Sequence, residues 1–224
     1  MWSNDRRSRP AGKPAAWRDR CSERRLKFKT ALRYAKVVLV THRARNVRFD
    51  KTELEGAWLI HLEPRWDIRG FFARTFSVDE FQAHGLETNF PQHSVSLSLR
   101  KGSLRGMHFQ RPPHGEVKLV RALSGAIWDV IIDLRPDSRT FRRWQGFELS
   151  AENASQLYIP KGFAHGFQTL TDNVHVNYLI SAFHAPDAAA GVRHDDAAFG
   201  ITWPLPVTVI SEKDLLWPDF QDRA

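Results

Sequence analysis

An all-β sandwich or barrel is the fold class this sequence predicts, and three observations carry it. Short Val/Ile/Leu/Phe/Trp runs recur from Trp58 onward, and turn residues separate them at short intervals. The chain also holds 13 glycines and 12 prolines, which suit many turns better than long helices. With 224 residues, 42% of them hydrophobic and 12% aromatic, one domain with one substantial core is expected.

Taken in order, the strand-like segments are 58–62, 70–76, 94–99, 104–110, 118–123, 126–134, 144–149, 156–159, 166–170 and 174–181. Lys101-Gly102, Pro112-Pro113, Ser124-Gly125, Arg135-Pro136-Asp137 and Pro160-Lys161-Gly162 supply the turn chemistry between them. Residues 207–210 read as a further apolar strand. Only two short helices are expected in this part. One follows Ser77, with Glu80 three residues on in a capping-box pattern and Gly85 as terminator. The other starts at Ser211, which would cap it, with Asp214 as an acid in the first turn.

The first 50 residues carry 15 Lys/Arg against 4 Asp/Glu, whereas the remainder carries 18 against 21. The formal charge of +8 therefore belongs to an N-terminal arm and not to the globular part. Residues 1–46 are read as a basic, disordered extension with a short helix near 22–34, and residues 47–224 as the domain. A mildly acidic domain argues against a nucleic-acid-binding module, for which the arm would have to account. The single cysteine, Cys21, permits no intrachain disulfide, so a cytoplasmic setting is the default. The apolar run at 35–40 is too short to span a membrane and is interrupted by Lys36, so no membrane partner is expected.

The stretch GSLRGMHFQRPPHGEVK, residues 102–118, is the richest in chemistry. Strict alternation puts Leu104, Gly106, His108 and Gln110 on one strand face, so the imidazole projects from a rigid element as a base should. Lys118 shares a face with Val120 and Ala122, which makes it either an internal lysine or an edge lysine that blocks strand pairing. Tyr178 points with Val174, Val176 and Ile180, so its hydroxyl needs a partner, either a backbone carbonyl or a ligand.

GSLRGMHFQRPPHGEVKLVRALSGAIWDVIIDLR, followed by LSAENASQLYIPKGFAHGFQTL, resembles the dTDP-4-dehydrorhamnose 3,5-epimerase family, from about Val47 to Pro218. The resemblance implies a jelly-roll (cupin) fold, no cofactor, a nucleoside-diphosphate 4-keto-6-deoxyhexose as substrate, and epimerisation at C3, C5 or both. It makes His108 the general base, Asp214 its partner, Lys118 the group facing the C4 oxygen and Tyr178 the general acid. Arg69, Gln92, Arg105, His165 and Lys213 correspond to its nucleotide and phosphate contacts. It further implies a homodimer in which a strand near 70–76, with Phe71, Phe72 and Phe76, crosses to the partner.

Four departures from the family pattern surround the substrate positions: Arg74 for an acid, the segment Gln92-His93-Ser94-Val95-Ser96, Phe183-His184 for two tyrosines, and His194 for a tryptophan. They bear on which base and sugar are bound more than on proton transfer. A metal-dependent cupin isomerase or oxygenase is the competing reading. It is the weaker one, because His108-Phe109-Gln110 lacks the second histidine of a His-x-His pair, and His114, Glu116 and His165 are poorly spaced to share one metal. A non-catalytic sugar-nucleotide-binding domain is the third.

Overall fold

Strands that are apolar on both faces need cover on both sides, and this requirement fixes the architecture. In the computed structural model, which describes residues 47–221, the chain forms 13 strands: β1 (Val47–Lys51), β2 (Trp58–Leu62), β3 (Arg65–Asp67), β4 (Gly70–Phe72), β5 (Gln92–Ser98), β6 (Leu104–Gln110), β7 (Lys118–Ser124), β8 (Ala126–Asp133), β9 (Trp144–Ser150), β10 (Ser155–Ile159), β11 (Phe163–Thr169), β12 (Val174–Ile180) and β13 (Ala189–Gly191). Helix α1 (Val78–Ala83) precedes β5, and helix α2 (Glu212–Leu215) follows the last strand. The arm's disorder and the helix near 22–34 lie outside the described residues.

Two antiparallel sheets, ordered β1-β2-β10-β7-β12-β5 and β13-β6-β11-β8-β9, pack face to face as a jelly-roll sandwich. Ile127, Ile131, Phe163 and Phe167 of the second sheet meet Val120, Leu157, Val174 and Val176 of the first in the inter-sheet core. The outer face of the six-stranded sheet is covered by α1 through Phe81, which packs with Ile60, Leu119 and Tyr158. The outer face of the other sheet, with Met107, Val130, Ile132 and Ala164, is covered by Val192, Phe199, Trp203 and Phe220 from the chain after β13. The near-continuous apolar run of β8, AIWDVIID, follows from this double cover.

Several expectations are corrected. Ser77 stands at the N-cap of α1 with extended backbone, but its side chain makes no capping bond, so the capping box does not close. The segment 70–76 is a strand only to Phe72, where it forms a separate hairpin with β3. Residues 207–210 form no strand, and Val209 makes only an isolated bridge to Ser103. Lys118 is not an edge lysine, because β7 lies between β10 and β12.

The single-face reading of β6 also fails, for a reason that shapes the site. His165 pairs with His108 and Phe167 with Arg105, so two residue steps on β11 span three on β6. One extra residue on β6 makes a bulge and reverses the alternation on either side of it. Arg105 and His108, which strict alternation would place on opposite faces, therefore both face the inter-sheet space. The bulge is held in a close glycine pair. A Cβ on Gly106, whose φ is +135°, would lie 2.5 Å from Gly166 Cα, and a Cβ on Gly166 would lie 2.7 Å from the Arg105 carbonyl oxygen.

Candidate active site

One end of the inter-sheet space is filled by apolar side chains; the other opens as a cavity of about 790 Å³. Arg105, His108 and His165 reach it from one sheet, Ser96, Lys118 and Tyr178 from the other, and Lys213 and Asp214 from α2. A smaller cavity of about 260 Å³ adjoins it, sharing His108, Lys118, Ile180 and Lys213 and adding Gln92, Glu116, His184 and Trp217.

His108 Nε2 lies 2.6 Å from Asp214 Oδ1. Ser211 caps α2 by accepting the Asp214 N–H at 3.1 Å, so the local helix start and the long-range pairing use the same aspartate. Asp214 is buried at 4% exposure, which opposes its ionised form. The bonds from His108, from the Gly106 N–H at 3.3 Å and from Ser211 nevertheless hold its carboxyl below the usual aspartate range. An ionised carboxylate only accepts, so Nε2 carries the proton and Nδ1 is left as the basic nitrogen.

Tyr178 packs against the inter-sheet core, and its hydroxyl shares a hydrogen bond of 3.0 Å with Ser96 Oγ. The partner expected for the phenol is thus a side chain and not a backbone carbonyl. Burial pushes its pKa up to about 12, against the pull of the Ser96 bond and with the help of nearby Asp129. Lys118 is largely buried, its Nζ 3.1 Å from Glu116 Oε1, and it donates to the His108 carbonyl at 3.3 Å. A second imidazole–carboxylate pair, His165 Nε2 to Asp129 Oδ2 at 2.9 Å, is deeper still. Burial raises the Asp129 carboxyl, and the charge and hydrogen bond of His165 oppose that rise.

A basic imidazole, a protonated phenol and a cation around one cavity suit proton transfer next to a carbonyl. A sequence model described as dTDP-4-dehydrorhamnose 3,5-epimerase matches residues 51–222. The chain belongs to this family. A dTDP-4-dehydrorhamnose 3,5-epimerase from Methanothermobacter thermautotrophicus is 46% identical over 180 residues, covering 79% of this chain and 96% of that protein. The crystal structure of the Bacillus anthracis enzyme with TDP and PPi bound superposes with a TM-score of 0.76 at 38% identity, over 78% of this chain and 99% of that one. The Legionella pneumophila enzyme, in complex with dTDP-4-keto-L-rhamnose, gives a TM-score of 0.72 at 34% identity, over 78% and 99%.

Of the nine positions matched to the epimerase family from the sequence, His108, Lys118, Tyr178, Asp214, Arg105, His165 and Lys213 line the larger cavity, and Gln92 lines the smaller one. Arg69 lines neither. Its side chain is 85% exposed on the β3–β4 hairpin and is paired with Asp67 at 2.6 Å. Arg105 is held by Ser98 Oγ and the Leu97 carbonyl, and Gln92 accepts the His184 N–H at 2.8 Å. Among the departures from the epimerase pattern, His184 borders the smaller cavity, Phe183 and Arg74 are exposed, and the carbonyl of His194 accepts the Trp203 indole N–H. His114, Glu116 and His165 do not converge, and among the described residues no three His, Cys, Asp or Glu side chains are grouped to hold a metal.

Asp129 and Trp217 contact site residues that no motif in the sequence pairs them with, whereas Ser96, the partner of Tyr178, lies in the segment 92–96 already marked as a departure from the family pattern. Alternation does place Asp129 within the apolar run of β8, and an acid in such a run was the available signal.

Proposed function

We propose that this protein epimerises a dTDP-4-keto-6-deoxyhexose at C3, C5 or both, in the manner of the dTDP-4-dehydrorhamnose 3,5-epimerases of deoxysugar biosynthesis. The observation that carries the reading is the His108–Asp214 contact of 2.6 Å in one cavity with a buried tyrosine and a buried lysine. Protons at C3 and C5 are both α to the C4 ketone, so removal of either leaves an enolate with its charge on the C4 oxygen. His108 takes the proton at Nδ1, and Asp214 stabilises the imidazolium that results. Lys118 faces the enolate oxygen, a contribution of ~3–4 kcal/mol for a prepositioned donor. Tyr178, protonated at all ordinary pH values, returns a proton to the opposite face and inverts the centre. Arg105, His165, Lys213 and Gln92 take the nucleotide and its diphosphate, for which charged donors are suited.

The exposed hairpin supports a homodimer in which Arg69 serves the neighbouring subunit's nucleotide, since it lines no cavity of its own chain. A cytoplasmic enzyme is the setting we infer, and among the described residues no helix is long and apolar enough to cross a membrane. The test is incubation of the purified protein with dTDP-4-keto-6-deoxyglucose in deuterated water. Deuterium should enter at C3, C5 or both, with inversion at each exchanging centre. Absence of exchange at both carbons would remove the epimerase reading.

A further inference from the structure

Resting on the epimerase reading, we propose that Trp217 is a positioning residue for the base: its indole N–H, wedged against Gly191, fixes the carboxylate oxygen that orients His108. Four observations converge on it. The Trp217 indole nitrogen lies 3.3 Å from Asp214 Oδ1, the same oxygen that pairs with His108 Nε2. Gly191 is the cross-strand partner of His108, and a Cβ there would lie 2.4 Å from the indole, so the ring rests on bare backbone beside the base. The Trp217 and His108 rings meet edge to face at 6.3 Å. Lys213 Nζ, from α2, lies over the ring 5.4 Å from the indole centroid.

The carboxylate therefore has a defined set of donors. Gly106 N–H takes Oδ2, while the imidazole and indole N–H groups share Oδ1. Helix α2 is only four residues long, so it holds its own acid loosely unless something anchors it. Trp217 is that anchor, because it ties the residues just after the helix to the strand pair that carries the base. Charges facing His108 are Arg105 on its own strand and, from other elements, Lys118 with its counter-ion Glu116 on the β7 side, Lys213 on α2 and the His165–Asp129 pair on β11 and β8. None of these donates to Oδ1, so the indole's role is not duplicated among the described contacts.

Trp217→Phe keeps a ring over Gly191 and removes only the N–H donor. Its turnover of dTDP-4-keto-6-deoxyglucose should fall about tenfold at unchanged KM, the loss of one hydrogen bond to a charged group, with deuterium exchange falling in the same proportion. Gly191→Ala displaces the indole without altering its chemistry and should reproduce that loss. The double variant should be no slower than either single one, as expected for two changes acting through one contact. Proton NMR supplies a readout free of activity. The far-downfield signal of the short His108–Asp214 bond should shift or broaden in Trp217→Phe, while that of His165–Asp129 stays in place. An unmoved His108–Asp214 signal would overturn the inference, as would a rise in KM equal to the loss in kcat/KM, which would make Trp217 a substrate contact. If the wild-type protein exchanges no substrate protons, the epimerase reading fails, and the NMR comparison still decides what Trp217 does to the dyad.

Discussion

Tyr178 and His108 are both within reach of one cavity, yet they differ in which proton they can handle. With the phenol pushed up to about 12, Tyr178 gives a proton but does not act as a base near neutrality. His108→Ala should abolish exchange at both α-carbons, a loss of at least ~10²-fold, because no enolate forms without a base. Tyr178→Phe should leave measurable exchange with little inversion, which chiral analysis of the product would show; normal inversion would make Tyr178 a core residue. A different residue tests stability. Asp133 is fully buried, and although burial opposes its charge, bonds from Arg135 Nε at 2.8 Å, Ser138 and Thr140 hold its carboxyl below the usual range. A folded-state value below the unfolded one, about 3.9, gives stability that is present above that pH and lost as pH falls through the folded value. Asp133→Asn should therefore cost about 3 kcal/mol near neutrality, and the gap from wild type should narrow below about pH 4 in denaturant titrations.

Among the elements, β6 shows where period-two reading stops. Its limits, 104–110, are legible from the sequence, as are the existence and type of most strands from β5 to β12, because their apolar runs end at turn residues. Its faces are not legible, because a bulge is set by pairing with β11 and leaves no local signature beyond a glycine in a strand. The same limit explains the other misses. β1, β3 and β13 are too short or too polar to stand out from the sequence, and the strand character expected to Phe76 ends at Phe72 because β4 pairs only with three-residue β3. The proposed proton-transfer set was legible through the family resemblance, His108 and Lys118 within the stretch 102–135 and Tyr178 and Asp214 beyond it, whereas what Asp129 and Trp217 touch follows only from folding. Gly166→Ala should separate β6 from β11, destabilising the fold by about 1–3 kcal/mol and reducing activity by moving Arg105 and His108, both measurable by denaturation and exchange assays. The hairpin makes a separate prediction. Ile68 in the turn and Phe71 and Phe72 on β4 are more than half exposed in a hairpin of two three-residue strands, which would not hold its shape alone. Light scattering should report a dimer, and changing Phe71 and Phe72 together to aspartate should yield an inactive monomer; a wild-type monomer would remove the dimer proposal.

For the whole molecule, the basic composition of the first 50 residues and the pairing of β1 with β2 from Val47 motivate a test of where the domain starts. A chain beginning at Val47 should fold and retain its rate, since β1 pairs with β2 from Val47 onward and Phe49 stacks on His84 at 3.9 Å. Insoluble or inactive protein would show that residues 1–46 contribute. The fold also divides its labour along the chain. All 13 described strands are complete by Gly191, whereas the carboxylate that serves His108 lies 106 positions beyond it, after the last strand. During synthesis on the ribosome, the β-sandwich segments thus emerge well before the partner of the base. A polypeptide interrupted between Gly191 and Asp214 carries every described strand but neither the dyad nor the Phe220 that helps cover the second sheet, so turnover certifies that translation has passed Asp214.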